Sequence, residues 1–193
     1  MNPTLPNILT VARLLAAPAF ALVYVLMPRP LADWAALVLF VAAAATDYLD
    51  GYLARRWDQV SGFGRMLDPI ADKAMVVIAL AVLMGLSGLD PVVLLPAAAI
   101  LFREVFVSGL REFLGADAGR LKVTKLAKWK TTVQMVAIPL LLAGGSLQIS
   151  GGPLAGFVWG AGLILLWLAA ALTLVTGFDY FKKSLPYLRE AKE

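Results

Sequence analysis

Four aspartates stand at two short intervals, Asp47 and Asp50 three residues apart and Asp68 and Asp72 four apart. On an α-helix either interval places a pair on one face. Both pairs lie in mainly apolar surroundings, where an ionised side chain at the bilayer centre costs about 2.5–3.5 kcal/mol even on the mildest scale. Four converging carboxylates repel one another unless cations join them. Their hard oxygens suit Mg²⁺ or Mn²⁺, and two such ions would offset all four charges. The chemistry open to such a set is that of bound divalent cations. The chain has no histidine and no cysteine, which removes imidazole bases, thiolate nucleophiles, Cys/His zinc sites and disulfides. Carboxylates, hydroxyls, Lys/Arg and bound ions remain.

The elements that must position these acids are membrane helices. Of the 193 residues, 61% are hydrophobic and 16% charged, with mean hydropathy +0.81, whereas a soluble chain is about 45–50% apolar and about 25% charged. The composition is that of an all-α integral membrane protein. Turn signals cut the apolar stretches into six spans, expected at Leu5 to Met27, Trp34 to Leu53, Phe63 to Leu86, Pro91 to Leu114, Trp129 to Ala143 and Leu154 to Phe178. With the N-terminus inside, Arg29 is the sole basic residue near the far face, and the remaining Lys/Arg outside the spans gather near the other, so both termini are expected in the cytoplasm. The first apolar run lacks a basic n-region, carries Arg13 and is followed by further spans, which argues against a signal peptide. No repeat or linker divides residues 1–193, so a single membrane domain is expected. The net charge of +4 follows from this positive-inside distribution, and no nucleic-acid partner is expected.

Charges inside the spans share one depth. Measured from the outer ends of their helices, Arg13, Asp47, Asp72, Arg103 and Lys130 all lie roughly 18–22 Å inward at a rise of about 1.5 Å per residue. That is about 10 Å below the cytoplasmic boundary of a core about 30 Å thick, as a recessed cavity open to the cytosol requires. The second and third spans are expected to form a hairpin that turns both acid faces to one point. Gly51 and Ala54, with Gly64 opposite, keep the adjacent surface low enough for a ligand to lie on the backbone. The sixth span has no charge at this depth and is assigned to packing, with Gly152, Gly156 and Gly160 allowing close helix approach. Asn7 and Thr10 are expected as cap and helix-face residues, with a nucleotide contact as the alternative.

The string Asp47-x2-Asp50-Gly51-x2-Ala54-Arg55-x8-Gly64-x3-Asp68-x3-Asp72 resembles, at every fixed position, the signature of the CDP-alcohol phosphotransferase family. The resemblance implies a six-helix membrane enzyme, homodimeric and seated in the bacterial inner membrane. Its active site would face the cytosol, and it would move a phosphatidyl or phosphoalcohol group from a CDP-activated donor to an alcohol with release of CMP. It implies Asp47, Asp50, Asp68 and Asp72 as ligands of two divalent cations, Mg²⁺ or Mn²⁺, and Asp72 also as general base. Asp50, Gly51, Ala54, Arg55, Gly64 and Asp68 would form the donor site.

Three further segments are similar to the branch of the family that uses sn-glycerol 3-phosphate as acceptor: Asn7 to Arg13, the pairs Arg103-Glu104 and Arg111-Glu112, and Lys125 to Gln134. Together the similarity runs from about Asn7 to Thr176. One departure is Ala127 where that branch often carries glycine before the lysine. On this basis the partners are CDP-diacylglycerol, glycerol 3-phosphate and the lipid bilayer, and the product is phosphatidylglycerophosphate. The charges agree: a phosphorylated acceptor needs fixed cations, which Arg103, Arg111, Lys125 and Lys130 supply. The positive-inside rule and binding of anionic lipid headgroups account equally for any single basic residue. Thr10, Arg13 and Gln134 are further candidate contacts, and Glu104 and Glu112 are expected to orient the neighbouring arginines. The alternatives are the same chemistry with phosphatidylglycerol or inositol phosphate as acceptor and, from another class, a divalent-cation transporter.

Overall fold

The computed structural model describes residues 4–57, 61–115 and 125–190, without the side chains of 48, 53–55, 65, 125, 127 and 188–190. Six helices follow one another: α1 (Leu5–Leu26), α2 (Leu31–Arg56), α3 (Gly62–Leu86), α4 (Pro91–Leu114), α5 (Lys125–Ile149) and α6 (Ala155–Glu190). Each is long and apolar enough to cross a membrane, and no strand occurs among the described residues. The ends are set by local chemistry. Ser61 caps α3 by accepting from the Gly64 N–H at 2.9 Å, and Asp90 caps α4 by accepting from the Val92 N–H at 2.9 Å, with Pro91 in the first turn, where a missing N–H costs nothing.

All six expected spans are present; α4 has the expected limits, α1 and α3 differ by one residue at one end, and the other three differ by more. α2 starts at Leu31 rather than Trp34 and continues to Arg56; α6 runs on past Phe178 to Glu190, where Lys183 and Asp179 pair at 2.6 Å across one turn. α5 covers Lys125–Ile149 rather than Trp129 to Ala143, because Gly144 and Gly145 do not break it. They serve packing instead: a Cβ on Gly144 would meet the Trp159 backbone at 2.7 Å. Gly162 likewise lets α6 approach Leu141, at 2.9 Å from an added Cβ. The small residues that close α5 on α6 are therefore Gly144 and Gly162. Gly156 and Gly160 face open space, and Gly152 precedes the helix.

The packing order also differs from the expected hairpin. α2 and α3 touch each other little, and both pack along α1, which lies between them; α5 packs on α6 and α2, and α4 on α6. The core is a layer of Phe20, Phe40, Leu80, Ile100, Ile138 and Leu141 threaded with alanines such as Ala17, Ala36 and Ala79, all nearly or wholly buried. Small residues of this kind let helices approach where no hydrophobic effect drives them together in lipid. Phe20 and Phe40 meet edge to face at 6.3 Å and join α1 to α2.

At the end of the bundle away from the aspartates, the α1–α2 turn is held by Asp33, which is 1% exposed. Its carboxylate accepts from Arg29 Nε at 3.0 Å and from the Tyr24 hydroxyl at 3.0 Å. Gly145 makes room for that guanidinium, since a Cβ there would lie 2.8 Å from Arg29 Nη2. Removing the arginine strands a buried carboxylate. Arg29→Met is expected to cost on the order of 3 kcal/mol and to lower Tm in detergent well below that of Arg29→Met/Asp33→Asn, where the charge is removed as well. Equal melting of the two variants would show that the pair carries no stability.

Candidate active site

α1 carries the residue that organises the acids. From the middle of that helix Arg13, 3% exposed, reaches all four aspartates. Its Nη1 donates to Asp47 Oδ1 and lies 2.8 Å from Asp72 Oδ1. Its Nη2 lies 3.3 Å from Asp50 Oδ2 and 3.4 Å from Asp68 Oδ1. One turn earlier on the same face, Thr10 places its hydroxyl 2.9 Å from Asp68 Oδ1 and 3.4 Å from Asp50 Oδ2, while also meeting the Pro6 carbonyl at 3.1 Å. The sequence thus placed the acids correctly on one stripe of each helix. The convergence itself comes from α1, because Arg13 and Thr10 stand where α2 and α3 both face α1.

The cluster is unevenly buried. Asp50 is enclosed, whereas the side chains of Asp47, Asp68 and Asp72 remain 47%, 45% and 44% exposed. Three carboxylates are thus available to a ligand and the fourth is a fixed wall. Gly51 is half-buried beside them. Gly64 faces α1: a Cβ there would stand 3.1 Å from Asn7 Oδ1 and 3.3 Å from Ser61 Oγ. Asn7 is not a cap of its own helix, since Thr4 occupies that position. Its Oδ1 accepts from Ser61, the cap of α3, at 2.7 Å, and so fixes the start of α3 against α1. The side chains of Ala54, Arg55 and Lys125 lie outside the described residues.

A cavity of about 200 Å³ opens among α3, α4 and α5, with Lys73, Arg103, Arg111 and Lys130 around a single acid, Glu104. Glu104 accepts from Arg103 Nη1 at 3.3 Å, the neighbouring arginine it was expected to orient, and also from Lys130, which was not expected. Lys73 donates to Ser108, and Arg111 lies over the Tyr180 ring, 5.4 Å from its centroid, with Nε 3.3 Å from the phenol oxygen. Gln134, one turn beyond Lys130, is buried with its Nε2 unpartnered. Lys73, Ser108 and Gly177 of α6, where an added Cβ would stand 2.9 Å from Arg103 Cγ, were missed as site residues in the sequence. Lys73 was detectable, since it follows Asp72 and so lies at the shared depth. Ser108 and Gly177 gave no signal, because their value depends on which helix packs beside them.

Asp72 and Lys73 are neighbours on α3. Through them the carboxylate cluster adjoins the cationic cavity. The arrangement offers an acid-lined place for cations or a base-requiring step beside a cation-lined place for an anion.

The family model described as CDP-alcohol phosphatidyltransferase matches residues 3–175. A CDP-diacylglycerol–glycerol-3-phosphate 3-phosphatidyltransferase of Cereibacter sphaeroides is 55% identical over 100% of both chains. Proteins of the same name from Rickettsia bellii and Escherichia coli K12 are 42% and 40% identical, covering 97% and 93% of this chain and 98% and 94% of their own.

Because Arg13 is the shared counter-charge of four acids, its loss should be costly. Arg13→Gln is expected to destabilise the protein by about 3–5 kcal/mol, Arg13→Lys by less, and Arg13→Gln/Asp50→Asn by less than Arg13→Gln alone. Thermal unfolding in detergent with chelator present reads the order. Identical melting of wild type and Arg13→Gln would rule out the electrostatic role.

Proposed function

Since the chain belongs to the CDP-alcohol phosphatidyltransferase family, we propose that it transfers the phosphatidyl group of CDP-diacylglycerol to sn-glycerol 3-phosphate, giving phosphatidylglycerophosphate and CMP. The observation that carries the acceptor is the cavity of four cations around one glutamate, adjoining the aspartate cluster at Asp72–Lys73. An acceptor without a phosphate would leave those cations unmatched in a region where unmatched charge is expensive.

Four carboxylates facing one guanidinium carry an excess of negative charge, all of it on hard oxygen donors, and three of the four are open. Their donor chemistry suits divalent cations, while among the described residues no three of the acids are arranged around one ion position and Arg13 stands between them. Asp47, Asp50, Asp68 and Asp72 would hold two ions, Mg²⁺ or Mn²⁺, which when bound offset charge on the diphosphate and on departing CMP. Gly51, Ala54, Arg55 and Gly64, together with Asp50 and Asp68, line the cytidine and diphosphate site. Lys73, Arg103, Arg111, Lys125 and Lys130 bind the acceptor phosphate, with Glu104 fixing Arg103 and Lys130. So oriented, the 1-hydroxyl of glycerol 3-phosphate faces Asp72, which takes its proton as the oxygen attacks the β-phosphorus. The new P–O bond forms as the bond to CMP breaks, and CMP leaves with the electron pair. Arg13 and Thr10 keep the carboxylates in register throughout. Residues 1–193 act as one domain and as a homodimer in the bacterial inner membrane, with both termini and the site on the cytosolic side.

CMP release from CDP-diacylglycerol by purified protein tests the acceptor, with glycerol 3-phosphate, phosphatidylglycerol and inositol phosphate compared. Glycerol 3-phosphate is expected to support turnover and the others not; faster release with either of the others would overturn the assignment. Asp72→Asn is expected to lower kcat by about 10²–10⁴-fold. Lys73→Met and Arg111→Met should each raise KM for glycerol 3-phosphate by roughly tenfold or more with little change in kcat, as loss of a charged hydrogen bond predicts. A chelator should abolish turnover, and added Mg²⁺ or Mn²⁺ should restore it.

A further inference from the structure

The cationic cavity has a second neighbour, an apolar cleft of about 250 Å³ between α4 and α6. Phe102 and Phe106 stack on its α4 side with centroids 5.9 Å apart, and Phe181 closes on Phe106 at 5.7 Å. Leu174 and Phe178 complete it, half or more exposed on the face that lipid would bathe. Arg103 lines both this cleft and the cationic cavity. Gly177 makes that double position possible: a Cβ there would stand 2.9 Å from Arg103 Cγ, so the arginine stem lies directly on the α6 backbone. Arg103 Nε is buried with no hydrogen-bond partner.

An occupant that satisfies both sides of Arg103 has an apolar chain and an anionic head. In a membrane the surrounding solvent supplies such molecules at high local concentration. Zwitterionic headgroups bring their own cation, which Lys73, Arg103, Arg111 and Lys130 would repel, so the preference falls on lipids with net negative charge. We infer that the α4–α6 cleft binds an acyl chain of an anionic phospholipid whose headgroup phosphate reaches Arg103, so that this lipid and an anion in the cationic cavity exclude one another. The lipid site stands on the cleft alone; only its kinetic consequence, competition with the acceptor, rests on the function proposed above.

Nanodiscs containing phosphatidylglycerol with a photoreactive diazirine in one acyl chain test the site without turnover. Label is expected to concentrate on residues 102–106 and 174–181, to fall when inorganic phosphate fills the cationic cavity, and to fall in Leu174→Trp, which plugs the cleft. Label spread evenly over all lipid-facing helices would overturn the inference. So would equal labelling by the choline-headgroup analogue, indifference to phosphate, or crosslinks through Phe178 that join two copies of the chain. In the turnover assay the apparent KM for glycerol 3-phosphate should roughly double once phosphatidylglycerol reaches its half-saturating level, and this rise should vanish in Leu174→Trp. An unchanged KM would refute the competition, whereas absence of turnover with glycerol 3-phosphate would refute the acceptor assignment and leave the labelling result standing.

Discussion

Four carboxylates gathered around one guanidinium, in the interior of a helical bundle suited to lipid, form the constraint on which this structure depends. An unpaired charge in such surroundings is costly, and like charges drawn together add repulsion. Arg13 resolves part of both by contacting Asp47, Asp50, Asp68 and Asp72 at once. For that contact to exist, α1 must stand between α2 and α3. The packing order follows from this placement: α2 and α3 both lie along α1 and scarcely touch each other. Asn7 extends the same logic to the helix end by bonding the cap of α3.

Charge is then sorted by helix. Acids occupy the faces of α2 and α3 toward α1, and cations occupy the faces of α3, α4 and α5 on the other side, with Asp72 and Lys73 at the boundary. α6 contributes shape in place of charge at this level. Its Gly162 admits Leu141 and its Gly177 admits the Arg103 stem, so the helix fixes both the bundle's closure on α5 and the direction in which one cation points. The far end is held independently by Arg29, Asp33 and Tyr24.

Much of this was legible in the sequence because it follows from rules that act along one chain. Apolar length gave the six spans, helical spacing gave the acid stripes, and counting residues from the outer ends gave the common depth of Arg13, Asp47, Asp72, Arg103 and Lys130. What escaped depends on which helix lies beside which. Arg13 was a candidate contact like Thr10 and Gln134, and nothing in its neighbours showed that both acid pairs would face it. Gly144 looked like a helix break, since a glycine that ends a helix and one that admits a tryptophan backbone have the same sequence signature. Gly156 and Gly160 had the four-residue interval of a packing face, and no described atom stands opposite them. Periodicity identifies a face, and only packing supplies its partner.

The cationic cavity raises the question of what holds it open. Its walls meet through polar contacts. Lys130 of α5 reaches Glu104 of α4, and Lys73 of α3 reaches Ser108 of α4, whereas among the described residues α4 packs lengthwise on α6 and at most scarcely on α5. Long charged side chains hold these helices at a set separation, because their heads must stay paired while their stems span the gap. Apolar residues at Lys73, Glu104 and Lys130 would remove the reason for that separation and let the helices close. The ions that make the cavity costly in lipid are thus the ones that keep it a cavity. A site for an anion at this depth needs fixed cations to attract it, an acid to hold those cations in place, and neighbours small enough, as Gly177 is, to let them lie down.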